Sequence, residues 1–275
     1  MENIRIRVRI KLLSYRLIRT ITGVAKNVYL RLYYRYFIQD ADSDIFSLLS
    51  NYDKNIIEKG LFYHDFKVLG FETFTRFYGI NNQTAKDEFL LPYINYVINN
   101  YKISNGIELF CADGYFSNYI SNHKDIPMLG IDLEIAECQG ASTLSLARLI
   151  TKILKNDKRV TFKKQDVFDI VRYYDIALCI GGLYHIENPD KLLQLLSTKS
   201  KYLILQTVYS LNVEPDYFET PCPGWTWGCR FSYEYIERAI KKSGWTIVKS
   251  DINKLPENNA LRDKGSAYFL CENNK

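Results

Sequence analysis

Three carboxylates stand within or just after three successive apolar runs of this 275-residue sequence. Glu108 lies in Gly106–Phe110, Asp132 closes Met128–Asp132, and Asp166 follows Val160–Lys164 in the string Gln165-Asp166-Val167-Phe168. An acid at a strand end can accept hydrogen bonds from both hydroxyls of a ribose, and Asp132 is placed for that task. Asp166 offers a carboxylate to an exocyclic amine, with Val167 beside it as apolar surface for an adenine face. Glu108 could hold a cationic ligand group, or it could cap a neighbouring helix. After the first run, Cys111-Ala112-Asp113-Gly114 supplies small residues for a tight turn, and Gly114 can take φ > 0 without penalty. A pyrophosphate would be repelled by Glu108, and no Gly-x-Gly-x-x-Gly is present to cradle one. The pattern favours a nucleoside cofactor that carries no phosphate, and disfavours NAD and ATP.

A second group of residues follows the fourth apolar run, in Ile180-Gly181-Gly182-Leu183-Tyr184-His185-Ile186-Glu187-Asn188-Pro189. Gly181 and Gly182 permit an irregular loop close to a ligand. The unperturbed imidazole titrates near pH 6.5, so His185 could take a proton from an attacking hydroxyl or amine. It could equally serve to orient the loop. Tyr184 and Tyr115 are candidates for shaping an acceptor pocket. Farther on, Pro221 to Arg230 contains Trp225 and Trp227, which could stack on a sugar, a base or an aromatic metabolite, or pack for the loop's own stability. His64 and His123 fall in polar or peripheral segments and read as surface residues. No cluster of His, Cys and acids has metal-ligand spacing.

The elements that must position these groups begin near residue 104. The strand candidates are Gly106–Phe110, Met128–Asp132, Val160–Lys164, Ile176–Ile180 and Tyr202–Gln206, with Trp245–Ile252 and Ala267–Cys271 near the C-terminus. Helical patterns lie between them at Phe116–Ser121, Ala141–Lys155, Pro189–Ser197 and Tyr233–Ser243. Alternation of this kind predicts a doubly wound, mostly parallel α/β sheet of Rossmann type, with helices on both faces. Residues 38–100 read as mainly helical, broken at Gly60, Gly70 and Gly79.

The segments Glu108–Ser117, Gly130–Glu134, Gln165–Phe168 and Asp175–His185 resemble the motifs of the class I S-adenosylmethionine-dependent methyltransferases, in order and in spacing. The resemblance covers about residues 104–210 and implies a seven-stranded sheet whose last strand is antiparallel. It implies S-adenosyl-L-methionine as cofactor, with Glu108 helping to hold the methionine amino group, Asp132 the ribose and Asp166 the adenine amine. Cys111, Gly114, Leu133, Val167 and Gly181 are then cofactor-binding positions, and His185 and Tyr184 the catalytic candidates. The sequence departs from the family where Phe110 and Ala112 replace the first two of three loop glycines. The Gly-Gly-Leu-Tyr-His loop and the aromatic insertion are also similar, in part, to the tRNA wobble-uridine modifying branch, which transfers a carboxymethyl group.

Composition bounds the remaining choices. Hydrophobic residues make up 47% and charged residues 24%, which suits a globular protein and excludes disorder. Nine of the 36 Lys and Arg residues, against the single acid Glu2, fall in residues 1–37, although the whole chain is only +5. The rest of the chain is therefore net acidic, without the basic surplus of a tRNA grip. Residues 4–11 alternate apolar and basic as a strand would, and Leu12 to Phe37 mixes aliphatic, Tyr and Arg residues at roughly helical spacing. This basic segment could pack on the domain, lie on an anionic membrane surface or grip phosphates. The six cysteines lack a CxxC pair, and several fall inside apolar runs that read as buried strands, so free thiols and a reducing cytoplasm are expected, although Cys222 and Cys229 flank the tryptophans and could pair. No run of about 18 apolar residues exists to span a membrane, and arginines interrupt any signal-peptide core.

The sequence thus predicts a basic, mainly helical extension over residues 1–100 and a catalytic domain over 101–275. The expected activity is methyl transfer to a small metabolite or a glycan hydroxyl, without a metal and with peripheral contact to an anionic membrane through residues 1–37. The rivals are a tRNA-modifying enzyme and a non-catalytic cofactor-binding module, the latter favoured by Phe110.

Overall fold

The computed structural model describes residues 62–70, 79–133, 143–211, 216–220, 228–254 and 264–273. The basic segment 1–37, Glu134, Cys138, Cys222 and the tryptophans Trp225 and Trp227 lie outside the described residues. The described elements are α1 (Gly79–Asn100), β1 (Gly106–Leu109), α2 (Tyr115–Lys124), β2 (Met128–Asp132), α3 (Thr143–Ile153), β3 (Val160–Lys164), β4 (Tyr174–Ile180) and α4 (Pro189–Lys199). They continue with β5 (Ser200–Ser210), β6 (Tyr217–Thr220), β7 (Gly228–Phe231), α5 (Tyr233–Lys242), β8 (Thr246–Asn253) and β9 (Lys264–Glu272).

Seven strands form one sheet in the order β3-β2-β1-β4-β5-β9-β8. Strands β1 to β5 are parallel, and β9 runs antiparallel to both β5 and β8. All seven predicted strands are present. The sequence reading ends the fifth at Gln206, but pairing with β9 carries it to Ser210, opposite Lys264. A separate hairpin of β6 and β7, which periodicity did not reveal, flanks the predicted aromatic insertion.

The central strands are buried on both faces and read as continuous apolar runs. One face of the sheet, carrying Leu109, Cys179, Leu203, Leu205 and Phe269, packs with Leu192, Leu193 and Leu196 of α4 and Ile236 and Ile240 of α5. Helix α4 starts where the Asn188 side chain accepts from the Lys191 N–H at 3.0 Å, with Pro189 in its first turn. Ser232 caps α5 in the same way, through the Tyr235 N–H. The other face is covered in part by α1, which buries Leu90, Tyr93, Ile94 and Val97.

Beneath the turn that follows β1, the Phe162 ring of β3 fills the space left by two glycines. A Cβ on Gly130 would lie 2.5 Å from that ring and 3.0 Å from Cys111 Sγ, and a Cβ on Gly114 would also collide with the ring. Gly130→Ala should therefore destabilise the fold by roughly 1–3 kcal/mol, the usual range for overpacking a filled core. Phe162→Leu in the same chain should recover part of the loss. Urea unfolding of the two variants checks this, and additive losses would show that the ring is not the cause.

Candidate functional site

The turn joining β1 to α2 is held in a conformation that its own residues do not favour. Phe110, Ala112 and Gly114 have φ of 56°, 46° and 73°. Only glycine takes this left-handed region freely, and each L-residue there costs roughly 1–2 kcal/mol. The loop keeps this geometry through bonds to β2 and within itself. The Cys111 N–H donates to the Ile131 carbonyl at 3.1 Å, the Ala112 N–H to Asp132 Oδ2 at 3.1 Å and the Gly114 N–H to the Cys111 carbonyl at 2.7 Å. Phe110 turns its ring onto Gly182, where a Cβ would overlap the ring atoms. Two loops, one after β1 and one after β4, thus meet through an aromatic ring and a bare backbone.

Glu108 is 3% exposed, and its Oε2 accepts from the Ser117 N–H at 2.8 Å and from the Ser117 hydroxyl at 2.5 Å. Gly114, the residue before α2, has no side chain to cap that helix, and Glu108 does so from the strand. Burial pushes the Glu108 carboxyl up to about 7, and the two Ser117 bonds offset only part of the effect. Cys111 is 1% exposed, with its thiol pushed well above the ordinary range by burial, so it packs beside the loop as an inert thiol.

The other strand-end acids remain partly open. Asp132 is half-buried at the end of β2, and the next residue, Leu133, is exposed at 37%. Asp166 is also half-buried, and its Oδ1 accepts from the Phe168 N–H at 2.9 Å, starting the short turn Val167–Asp169. Val167 itself is 4% exposed and joins the core, whereas Phe168 is half-buried with Lys191 Nζ 5.4 Å from its ring centroid. Leu133 and Phe168 present more apolar surface at this end of the sheet than Val167 does.

Gly181 leaves β4 at φ 73°, with its N–H donating to the Gln206 carbonyl at 3.0 Å. The turn Leu183–His185 follows, closed by the His185 N–H on the Gly182 carbonyl at 3.0 Å. His185 is exposed, Tyr184 is half-buried, and their rings lie 4.1 Å apart. The β6–β7 hairpin packs against this turn: Cys229 Sγ approaches the Leu183 carbonyl at 3.8 Å, and the Tyr217 hydroxyl donates to the Glu187 carbonyl. Cys111, Cys179 and Cys271 are buried free thiols.

One residue read as peripheral belongs to the loop. His64 places Nδ1 2.7 Å from Asp113 Oδ1, while the N–H groups of Tyr63 and His64 donate to Asp113 Oδ2 at 2.7 and 2.8 Å. Asp113 is fully buried, and the imidazole stacks on Tyr115 with centroids 4.9 Å apart. Burial pulls the imidazole pKa down, but the charge and hydrogen bond of Asp113, joined by the charge of Asp87, hold it above the ordinary value. No spacing in the sequence links residues about fifty apart, and the only local sign was Asp113 itself, a charged residue inside a tight turn. His123 is exposed, as expected, with Nδ1 on the Tyr119 carbonyl at 2.8 Å. Among the described residues, no three His, Cys, Asp or Glu side chains gather as metal ligands would, and no helix is long and apolar enough to cross a membrane.

Residues 77–250 match the family model described as methyltransferase domain. Among solved structures, the N-terminal domain of EvdMO1, crystallised in the presence of S-adenosylhomocysteine (SAH) and D-fucose, aligns with a TM-score of 0.55 at 14% identity, over 81% of this chain and 95% of that one. The [4+2]-cyclase SpnF aligns with a TM-score of 0.55 at 14% identity, over 86% and 94%. The magnesium protoporphyrin IX methyltransferase of Synechocystis PCC 6803, with S-adenosylmethionine (SAM) bound, aligns with a TM-score of 0.50 at 14% identity, over 92% and 99%. No curated protein sequence matches the chain.

The buried Glu108 generates a pH dependence. Its carboxyl titrates at about 7 in the fold against an ordinary 4.5, so the folded state binds the proton more tightly. Its ionisation therefore lowers stability progressively as pH rises from 4.5 to 7, and not in the reverse direction. Glu108→Gln, which cannot ionise, should gain stability relative to the parent protein between pH 5 and pH 8, on the order of 3 kcal/mol at most. Urea unfolding at the two pH values measures it, and a difference that does not change with pH would contradict the assignment.

Proposed function

The chain belongs to the methyltransferase domain family matched by its residues 77–250, and from that premise we propose that it methylates a hydroxyl of a small metabolite or a glycan. It is an S-adenosylmethionine-dependent enzyme, and its residues fit that cofactor. Half-open acids stand at the ends of β2 and β3, an exposed Leu133 lies beside them, and the loop after β1 is bent back at three positions. In this reading Asp132 accepts from the ribose hydroxyls, Asp166 faces the adenine amine, and the carboxylate of Glu108 acts on the methionine amino group through the end of α2 that it caps. When bound, the cofactor supplies an electrophilic methyl group on a sulfonium.

The observation that carries the proposal is the bent loop itself. Phe110 and Ala112 take the left-handed backbone that glycine adopts freely, so the departure in sequence leaves the turn bent. Methyl transfer needs in-line approach more than it needs a strong base, and a fixed loop provides position. His185, exposed on the turn after β4, is the candidate to receive the proton of the acceptor hydroxyl. Tyr184 beside it shapes the pocket. The acidic balance of the chain beyond residue 37 favours a small acceptor over tRNA.

Asp132→Ala should weaken SAH binding by about 1–3 kcal/mol, the loss expected when hydrogen bonds to a carboxylate are removed. Part of this loss would come through the Ala112 N–H that the same carboxylate holds. Calorimetry on the full-length chain reads the change directly, and unaltered affinity would refute the site. His185→Ala should leave that affinity in place and lower turnover about 10²–10⁴-fold, with loss of the acid limb of the pH–rate profile. A small change with an unaltered profile would make His185 a loop-orienting residue instead.

A further inference from the structure

Four buried side-chain polar atoms lack a hydrogen-bond partner among the described residues. Ser121 Oγ and Arg159 Nε belong to the far part of α2 and to the residue before β3. The other two, Gln206 Oε1 and Asp87 Oδ1, are both acceptor oxygens, and both belong to the layer between α1 and the sheet. Such atoms are rare, because leaving one unmade costs about 1–3 kcal/mol.

The Gln206 amide belongs to a chain of bonds on this face. The Tyr268 hydroxyl donates to Asn253 Oδ1 at 3.0 Å, and Asn253 Nδ2 donates to the Ala85 carbonyl of α1 at 2.9 Å. Gln206 Nε2 donates to the Ser266 hydroxyl at 2.8 Å. This leaves Oε1 as the end that has no donor. It faces the loop after β4: among the described residues other than the chain neighbours of Gly181, Oε1 is the one atom within 4 Å of the place a Cβ would occupy there, at 3.7 Å.

Asp87 approaches from the helix. Its Oδ2 accepts from the Tyr115 hydroxyl at 2.9 Å and from Gln83 Nε2 at 3.4 Å, which ties it to the first residue of α2 next to the cofactor loop. Phe89 stacks on Tyr268 at 4.8 Å, and the charge of Asp87 is felt at that tyrosine. The first turns of α1 therefore lie over the Ser266–Tyr268 stretch of β9, next to Gln206 on β5. Asp87 is also flanked by two basic side chains, His64 and Lys86, whose charges lower its carboxyl pKa against the effect of burial. A cationic acceptor would add to the positive charge on that side, whereas a neutral hydroxyl would not.

Resting on the methyltransferase reading above, we propose that Gln206 Oε1 and Asp87 Oδ1 recognise the acceptor, each accepting a hydrogen bond from a hydroxyl of a neutral polyhydroxylated ring. The two oxygens act as specificity residues and take no part in moving the methyl group. The half-buried ring of Phe89, stacked on Tyr268, supplies apolar surface beside them for the acceptor ring's C–H face.

The test is saturation-transfer NMR on the full-length protein saturated with SAH, with myo-inositol, D-glucose, D-galactose and cyclohexanol as probes. At least one of the three polyols should bind, and more tightly than cyclohexanol, which offers a single hydroxyl. Gln206→Met and Asp87→Asn should each weaken the polyol about tenfold or more while SAH affinity stays within twofold. Equal polyol binding by parent and variants would mean that water satisfies both oxygens, and would overturn the assignment. So would failure of all three polyols, or cyclohexanol binding as well as they do. Loss of SAH binding by both variants would place the residues in the cofactor site and overturn it too. Failure of the parent protein to bind SAH is a separate result, which strikes at the methyltransferase reading itself.

Discussion

The constraint on which the rest of this structure depends is a five-residue turn that must hold three positive φ values with only one glycine. Phe110 and Ala112 resist that conformation, and the loop cannot hold it alone. Its neighbours supply what the sequence of the turn does not. Asp132 grips the Ala112 N–H, the Ile131 carbonyl takes the Cys111 N–H, and Glu108 fixes the start of the helix that follows. Asp113, at the centre, accepts from three donors on the 62–70 segment. Backbone strain of this kind persists only where surroundings over-determine it, and such places tend to be functional. Asp132 thus helps to keep the loop bent, whatever else its half-buried carboxylate does.

Much of this was legible in the sequence because it is local. Apolar runs of five residues, and one of eight, separated by helical patterns placed the seven strands of the sheet. Gly114 signalled the turn, since a residue at φ 73° needs what glycine allows. What escaped is long-range. The pairing of His64 with Asp113 joins residues about fifty apart, and neither carries a periodic signature. The hairpin β6–β7 is short, and its four-residue strands leave too few repeats for alternation to show. The extension of β5 to Ser210 depends on β9, more than fifty residues later. Glu108 showed a further limit: both of its readings, capping and ligand-facing, follow from one position at a strand near a helix start, and only the bond to Ser117 shows that it caps.

The two faces of the sheet divide the work between cohesion and recognition. Alternate residues of β5 and β9, such as Leu203, Leu205 and Phe269, meet α4 and α5 in an apolar layer. Among the intervening residues, Gln206 and Ser266 are equally buried but polar and bond to one another, and Tyr268 bonds through Asn253 toward α1. A buried polar layer stabilises little unless each member is satisfied, so its position is informative. It coincides with the face that also carries Glu108, and with the helix whose Asp87 reaches the start of α2, after the β1 turn, through Tyr115.

In open α/β sheets the ligand crevice forms where strand order reverses, which here is between β1 and β4. The residues that leave these two strands are Phe110 and Gly182, and they touch. In the family's usual pattern the glycine stands on the β1 side. In this chain the large side chain stands on the β1 side and the bare backbone faces it across the crevice. A Cβ at residue 182 and the ring of Phe110 as it stands cannot coexist. The two positions therefore form one steric unit. The backbone at Phe110 keeps its left-handed turn while its side chain closes the gap toward β4, so the departure from the glycine pattern changes how the crevice is walled without straightening the loop that forms it.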